Sequence, residues 1–199
     1  MDITGKRIIL ASGSPRRREL LSGLDIEFEV DTLNYFEEHY SPDTPHELIP
    51  VQMSEGKSFG FHRDLEQGEI LITSDTMVLC GSRVLGKPAG TDDTEKAADA
   101  AEMLRLLSGR THEVVTAVTI RDCRRHETFS DTASVTFNNL SDEEIRYYVE
   151  KYMPFDKAGA YGIQEWIGYV GIRSIQGSFY TVMGLPVHLV YRKLMEFCR

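Results

Sequence analysis

Apolar residues recur along this 199-residue chain with two different periods, and each change of period marks a new element. Arg7-Ile8-Ile9-Leu10-Ala11 is a short apolar run, which predicts a buried strand. Ser14-Pro15 follows it. Serine is a favoured helix N-cap, and proline at the first helical position gives up no donor that the helix needs. A helix is therefore expected here, with Leu20, Leu21 and Leu24 facing inward and Gly23 near its end. Glu27–Val30 predicts a second strand. The stretch from Asn34 to Pro50 is acidic and broken by prolines, so it reads mainly as loop. A helix is expected over His46–Phe61 with Leu48, Val51 and Phe59 in the core, although Gly56 and Gly60 are poor helix formers.

Glu69–Thr73 is a clear buried strand that runs straight into Ser74-Asp75-Thr76. Met77–Cys80 continues it, and Gly81-Ser82 turns the chain into Arg83–Leu85. Asp92–Leu107 has the helical period, with an Asp92…Glu95 cap, an apolar side of Ala97, Ala101, Leu104 and Leu107, and Gly109 as a stop signal. Val114–Ile120 and Thr132–Phe137 predict two strands, the second placing Ala133, Val135 and Phe137 on one face. Ser141-Asp142-Glu143-Glu144 matches a capping box and precedes Ile145, Tyr148, Val149 and Tyr152 at helical spacing. Gly177–Pro186 reads as strand and turn before a last helix over Pro186–Phe197. The sum is a mixed α/β pattern without repeats or low-complexity tracts.

Composition narrows the class. With 41% apolar residues the chain can bury a sizeable core. Its net charge of −9 argues against general nucleic-acid binding. Cys80, Cys123 and Cys198 show no metal-ligand spacing and read as reduced thiols, which favours the cytoplasm. No apolar run approaches the ~18 residues of a membrane span, and no secretory signal is visible, so no membrane partner is expected.

Against that acidic background one basic turn stands out. Ser12-Gly13-Ser14-Pro15-Arg16-Arg17-Arg18 puts small residues and three arginines at a helix N-terminus. Exposed N–H groups and the helix dipole favour an anion there, and guanidinium forks chelate phosphate oxygens. Taken alone, the turn reads equally well as a capped helix with solvated arginines. Cations at this end oppose the dipole, however, and call for a compensating anion. Asp75, at the end of an apolar run, suits metal binding or general-base work, with turn capping as the plainer role. Lys87 in Gly86-Lys87-Pro88 suits a phosphate contact, or is a solvated turn lysine. Gln164 in Asp156-Lys157-Ala158-Gly159-Ala160-Tyr161-Gly162-Ile163-Gln164 offers a donor and an acceptor that could read a base edge, or else satisfies loop backbone.

In this order, these segments resemble the Maf family of nucleoside triphosphate pyrophosphatases. The likeness runs from Ala11–Arg17 with Glu19-Leu20-Leu21, through Asp75-Thr76, Gly86-Lys87-Pro88, Met103-Leu104, Leu107-Ser108-Gly109 and His112. It continues through Asp156–Gln164 and Gly177-Ser178 to Gly184-Leu185-Pro186. The resemblance implies one domain over residues 1–199. It also implies an α/β fold with a mixed sheet and two lobes around a central cleft, similar to inosine triphosphate pyrophosphatases. Thr76 after Asp75, together with Gln164, resembles the dTTP/UTP subgroup, with Arg16, Thr76 and Gln164 as specificity positions. The implied reaction is hydrolysis to the monophosphate and pyrophosphate. Asp75 and Glu38 would then be the catalytic and metal-binding acids, with Glu37 beside Glu38 as the alternative in the alignment. Ser12, Ser14, Arg16, Arg17, Lys57 and Lys87 would contact substrate, and Mg²⁺ or Mn²⁺ would be the cofactor. A nucleotide-binding regulator of septum formation without turnover is the alternative function, and a homodimer stays open. The chain departs from the family pattern at Ser74, at Thr181 and in Glu55-Gly56-Lys57-Ser58, the last of which weakens the case for Lys57.

Overall fold

A computed structural model of the chain describes residues 5–198. The elements are β1 (Arg7–Leu10), α1 (Pro15–Ser22), β2 (Phe28–Val30), α2 (Ile49–Phe59), β3 (Glu69–Cys80), β4 (Arg83–Leu85) and α3 (Asp93–Leu107). They continue with β5 (Thr111–Arg121), β6 (His126–Phe137), α4 (Asp142–Tyr152), α5 (Trp166–Gly171), β7 (Ile172–Gln176), α6 (Phe179–Met183) and α7 (Val187–Phe197). Among the described residues the sheet is mixed, in the order β2-β1-β3-β5-β6-β7, with β4 paired to β3. The expected α/β class and mixed sheet are therefore present. The chain divides into two compact units. One holds the described residues up to Asp75, Thr116–Asp131 and the chain from Gly184 onward; the other holds Thr76–Val115 and Thr132–Met183.

In the first unit β1 runs parallel to both neighbours, pairing Ile8 with Phe28 and with Ile70. Such strands are covered on both faces and need continuous apolar sequence. Ile8, Ile9, Leu10, Ile70, Leu71 and Ile72 supply it, each at most 1% exposed. In the second unit β6 pairs antiparallel with β7. Ala133, Val135 and Phe137 face the core as the alternation predicts. Helix α4 carries the full capping box, with the Ser141 hydroxyl accepting from the Glu144 N–H and the Glu144 carboxylate accepting from the Ser141 N–H.

Four expectations need correction. The residues that α2 buries are Ile49, Pro50, Met53, Ser54 and Ser58. Leu48 and Phe59 are exposed, and Val51 is only half-buried. Helix α2 follows a 3-10 turn over His46–Leu48, and two of its inward positions are serines, which an apolar pattern does not mark. On α3 the fully buried alanine is Ala100, while Ala97 and Ala101 are intermediate. The Asp92 cap of α3 is present as expected, its carboxylate accepting from the N–H groups of Thr94 and Glu95. Gly177–Pro186 contains the short helix α6 instead of a strand, and β6 starts six residues before Thr132, at His126.

The second unit also buries a titratable ring. His112 Nε2 lies 2.8 Å from the Tyr161 hydroxyl, and Phe137 and Tyr161 meet the ring edge-on. Burial holds the imidazole down to about 4, against an ordinary value of 6.5. Between these values the unfolded chain binds the proton and the native protein does not, so stability rises with pH across this window and is lost as pH falls through it. The full shift corresponds to about 3 kcal/mol. Urea unfolding at pH 7 and pH 4.5 should show an acid loss of stability that is clearly smaller in His112→Gln than in the wild type.

Candidate active site

In open α/β sheets, ligands gather beyond the carboxyl ends of the parallel strands. The first unit has such an edge. Parallel pairing of β1 and β3 stops at Leu10 and Ile72, with a last hydrogen bond from Ala11 N–H to the Ile72 carbonyl (2.9 Å). Strand β3 runs on past this point, so Asp75 sits in mid-strand just beyond it, not at a strand terminus as the sequence suggested. The basic turn opens from the end of β1, and the segment carrying Glu38 follows β2.

The basic turn is held from inside. Ser14 caps α1 by accepting from the Arg17 N–H, and the Ser12 hydroxyl accepts from the Ser14 N–H. The Arg17 guanidinium donates to the Gly184 carbonyl (2.9 Å) and to Ser12 Oγ (3.4 Å). Ser74 Oγ donates to the same carbonyl (3.2 Å), which ties the turn to the strand bearing Asp75. Burial pushes the Arg17 guanidinium below its ordinary pKa; Asp75 opposes this, Arg16 adds to it and Glu38 opposes it again. A guanidinium stays protonated in proteins nonetheless. Arg17 is thus a fixed, poorly solvated cation, while Arg18 is exposed.

Opposite in sign is a second cluster on α2 and β3. Lys57 Nζ lies 2.6 Å from Asp75 Oδ1 and 2.9 Å from Glu38 Oε1. The carboxylate that reaches this lysine is that of Glu38, the preferred member of the Glu37/Glu38 pair. Asp75 is 7% exposed, and its second oxygen, Oδ2, is buried without a hydrogen-bond partner. Two hydroxyls that sequence reasoning did not single out set this register. Ser54 Oγ donates to the Thr73 carbonyl (3.3 Å), and Thr73 Oγ1 donates to the Ser54 carbonyl (2.8 Å). Lys57 follows Ser54 by one helical turn, and Asp75 follows Thr73 by one strand repeat, so both project from the faces that this reciprocal pair joins. A serine among the apolar positions of α2 was the available signal.

The glycines of α2 explain its departure from the family pattern. A Cβ on Gly56 would lie 2.2 Å from Phe36 Cζ, and one on Gly60 would lie 2.6 Å from Phe36 Cβ. Phe36 therefore lies flat across the helix, and Glu38 is brought along with it. Asn34 locks the segment by donating to the Lys57 carbonyl (2.6 Å) and accepting from the Phe36 N–H (2.8 Å). Tyr35 N–H donates to the Gly60 carbonyl (2.8 Å).

The other sequence-selected residues, Thr76, Lys87 and Gln164, belong to the second unit. Thr76 is half-buried on β3 and Lys87 is exposed. The Gly86–Pro88 loop is joined to the 158–160 turn by the Gly159 N–H, which donates to the Gly86 carbonyl (3.0 Å). Gly159 needs its freedom, with φ +67° and Val78 within 3.2 Å of a would-be Cβ. Past this turn, Tyr148 Oη accepts from the Gly162 N–H and donates to Glu165, which also pairs with the buried Lys157 (3.2 Å). Gln164 Oε1 is buried without a hydrogen-bond partner.

Among the described residues no group of three or more His, Cys, Asp or Glu is placed to hold a metal ion, and no helix is long and apolar enough to cross a membrane. Asp75 and Glu38 are the two acids that share Lys57.

Comparison with known proteins gives a consistent answer. The family model described as Maf-like protein matches residues 7–197. A dTTP/UTP pyrophosphatase of Bacteroides thetaiotaomicron is 48% identical over 190 residues, covering 96% of this chain and 95% of that one. Proteins of the same name from Porphyromonas gingivalis and Flavobacterium psychrophilum are 48% identical over 193 and 191 residues, each covering 96% of this chain and 94% of the relative. Among solved structures, the Ham1 protein of Staphylococcus aureus shares the fold with a TM-score of 0.51 at 17% identity, over 96% of this chain and 99% of that one.

Alanine normally stabilises a helix interior relative to glycine by about 1 kcal/mol. At Gly56 the sign should reverse, because the added methyl displaces Phe36. Gly56→Ala is expected to destabilise the protein by about 1–3 kcal/mol, the usual range for overpacking. In a Phe36→Ala background the same change should be neutral or stabilising, and a denaturant-unfolding double-mutant cycle measures the difference.

Proposed function

This chain belongs to the Maf family, and from that membership we propose that it is a nucleoside triphosphate pyrophosphatase acting on dTTP and UTP. The observation that carries the mechanism is the pairing, within one unit, of an anion-binding turn and a carboxylate that keeps one buried oxygen open. Water attacks the α-phosphorus, the bond from that phosphorus to its bridging oxygen breaks, and pyrophosphate leaves. Asp75 takes the proton from the attacking water. Arg16, Arg17 and the Ser12–Ser14 turn offset the charge of the polyphosphate, and the fixed geometry of Arg17 spares reorganisation during the reaction. Lys57 and Lys87 are further phosphate contacts.

The acids also fit a divalent metal. Asp75 and Glu38 already converge on a single cation, and the open Oδ2 is a hard oxygen donor of the kind that Mg²⁺ and Mn²⁺ take. Magnesium usually binds through one or two carboxylates and completes its shell with water and substrate phosphates, so a site of two acids is sufficient. Held by Asp75 and Glu38, such an ion would supply positive charge to offset the negative charge that develops on the phosphates.

Base choice falls to Thr76, Gln164 and Arg16. Uracil and thymine share a ring N–H donor between two carbonyls, whereas cytosine presents an acceptor at the same ring position. Gln164 Oε1 is an acceptor with no protein donor, which suits that N–H. A free nucleotide substrate agrees with the acidic chain, which is unsuited to nucleic acid, and with a cytoplasmic enzyme.

A panel of nucleoside triphosphates with Mg²⁺ and with Mn²⁺, scored for pyrophosphate release, tests the reading. dTTP and UTP should lead; activity confined to purines overturns the base assignment, and tight nucleotide binding without release favours the regulator. Asp75→Asn should lose most activity while the protein still folds and melts cooperatively, and near-normal turnover in that variant would refute its role. Gln164→Ala should lower kcat/KM for dTTP and UTP by roughly tenfold or more, the cost of an unmade buried hydrogen bond, while changing CTP little.

A further inference from the structure

Two carboxylates drawn to one point need a cation there, and in this structure the cation is the Lys57 ammonium, between Asp75 Oδ1 and Glu38 Oε1. We propose that Lys57 is an exchangeable internal cation: it holds the Glu38–Asp75 pair together in the absence of a divalent metal, and it is displaced when one enters. The inference rests on the metal-assisted reading of this site and goes beyond it, because it makes the lysine, rather than the acids, the group that limits metal affinity.

Three features support exchange over a permanent ion pair. An ammonium on a four-carbon stem is a compact point charge that moves by rotamer change, without disturbing its helix. The partner acids differ in exposure: the Glu38 side chain is 57% exposed and that of Asp75 is 11% exposed, so a cation from solvent meets Glu38 first. The Lys57 side chain, 20% exposed, lies between these extremes. Asp75 Oδ2 has no partner to lose, so it gains one when a metal arrives. Once displaced, the ammonium is available to the polyphosphate. The nucleotide-free protein therefore keeps a low metal affinity, and metal and substrate are taken up together.

The test measures Mn²⁺ binding by electron paramagnetic resonance on the full-length protein without nucleotide. A neighbouring unit charge shifts a carboxylate's proton affinity by ~1–3 decades, and a competing metal feels the same field. Lys57→Met should therefore bind Mn²⁺ at least about tenfold more tightly than wild type. Lys57→Arg, which keeps the charge, should match wild type, and Asp75→Asn added to Lys57→Met should remove the gain. Lys57→Gln is the second neutral variant, with a thermal melt on each protein to establish folding. Equal or weaker Mn²⁺ binding in the neutral variants overturns the proposal, as does a gain that survives without Asp75. Failure of the pyrophosphatase reading would show in the nucleotide panel and leave this measurement untouched.

Discussion

The Lys57 double ion pair is the constraint around which the first unit is arranged. Three pieces of chain must converge to make it: helix α2, strand β3 and the segment after β2. Each approach has its own device. Ser54 and Thr73 exchange hydrogen bonds and fix the helix against the strand. Phe36 lies across Gly56 and Gly60, where no side chain intervenes, and fixes the segment against the helix. Asn34 then joins that segment to the Lys57 backbone itself. Bringing charges out of water costs free energy unless geometry returns it, so a partly buried triad is kept for what it does more than for stability. The α2 glycines, costly for helix propensity, make sense only in this light.

Two poles of opposite sign follow from the same edge of the sheet. At the start of α1, Arg17 is oriented by a backbone carbonyl and a serine, neither of which neutralises it. Asp75 and Glu38 favour its charge from a distance, while burial and Arg16 work against it. The direction of this cation is thus set by Gly184 and Ser12. The acids, in turn, are matched to Lys57. The acidic pole stays together until another cation competes for it.

Much of this was legible in the residues. The apolar runs located β1 and β3, and the capping signals located the starts of α1, α3 and α4, because these features act over a few neighbouring positions. The order of motifs carried the family. What failed depended on longer range. The inward face of α2 was misjudged because it buries Ser54 and Ser58 while the apolar Leu48 and Phe59 are exposed, so apolar positions do not mark it. Phe59, expected in the core, instead meets His126 edge-on and has Arg121 over its ring, contacts made only through tertiary packing. Lys57 looked weakened by its glycine context, and the structure gives that context a purpose through Phe36, which lies far away in sequence. Ser54 and Thr73 escaped notice because a buried hydroxyl pair has no sequence signature stronger than a polar residue on an apolar face.

Unsatisfied atoms separate scaffold from site. Buried polar atoms without partners are rare, since each costs about 1–3 kcal/mol. Those identified among the described residues are Asp75 Oδ2, His112 Nδ1 and Gln164 Oε1. For His112 the cost is met by structure: the ring packs on Phe137 and Tyr161 and keeps its other nitrogen bonded. Asp75 likewise keeps its other oxygen bonded, to Lys57, and the neighbours of both Asp75 and Gln164 are well bonded. Ser74, next to Asp75, donates to Gly184, and Glu165, next to Gln164, is held by Tyr148 and Lys157. A loosely built region would leave its neighbours unsatisfied too. Here a single acceptor is left open in an otherwise bonded setting, once on an acid and once on an amide. One acceptor suits a water proton or a hard cation, and the other suits the N–H of a pyrimidine ring. Under the proposed function, the free energy withheld from folding at these atoms would be recovered when a ligand supplies the missing partner.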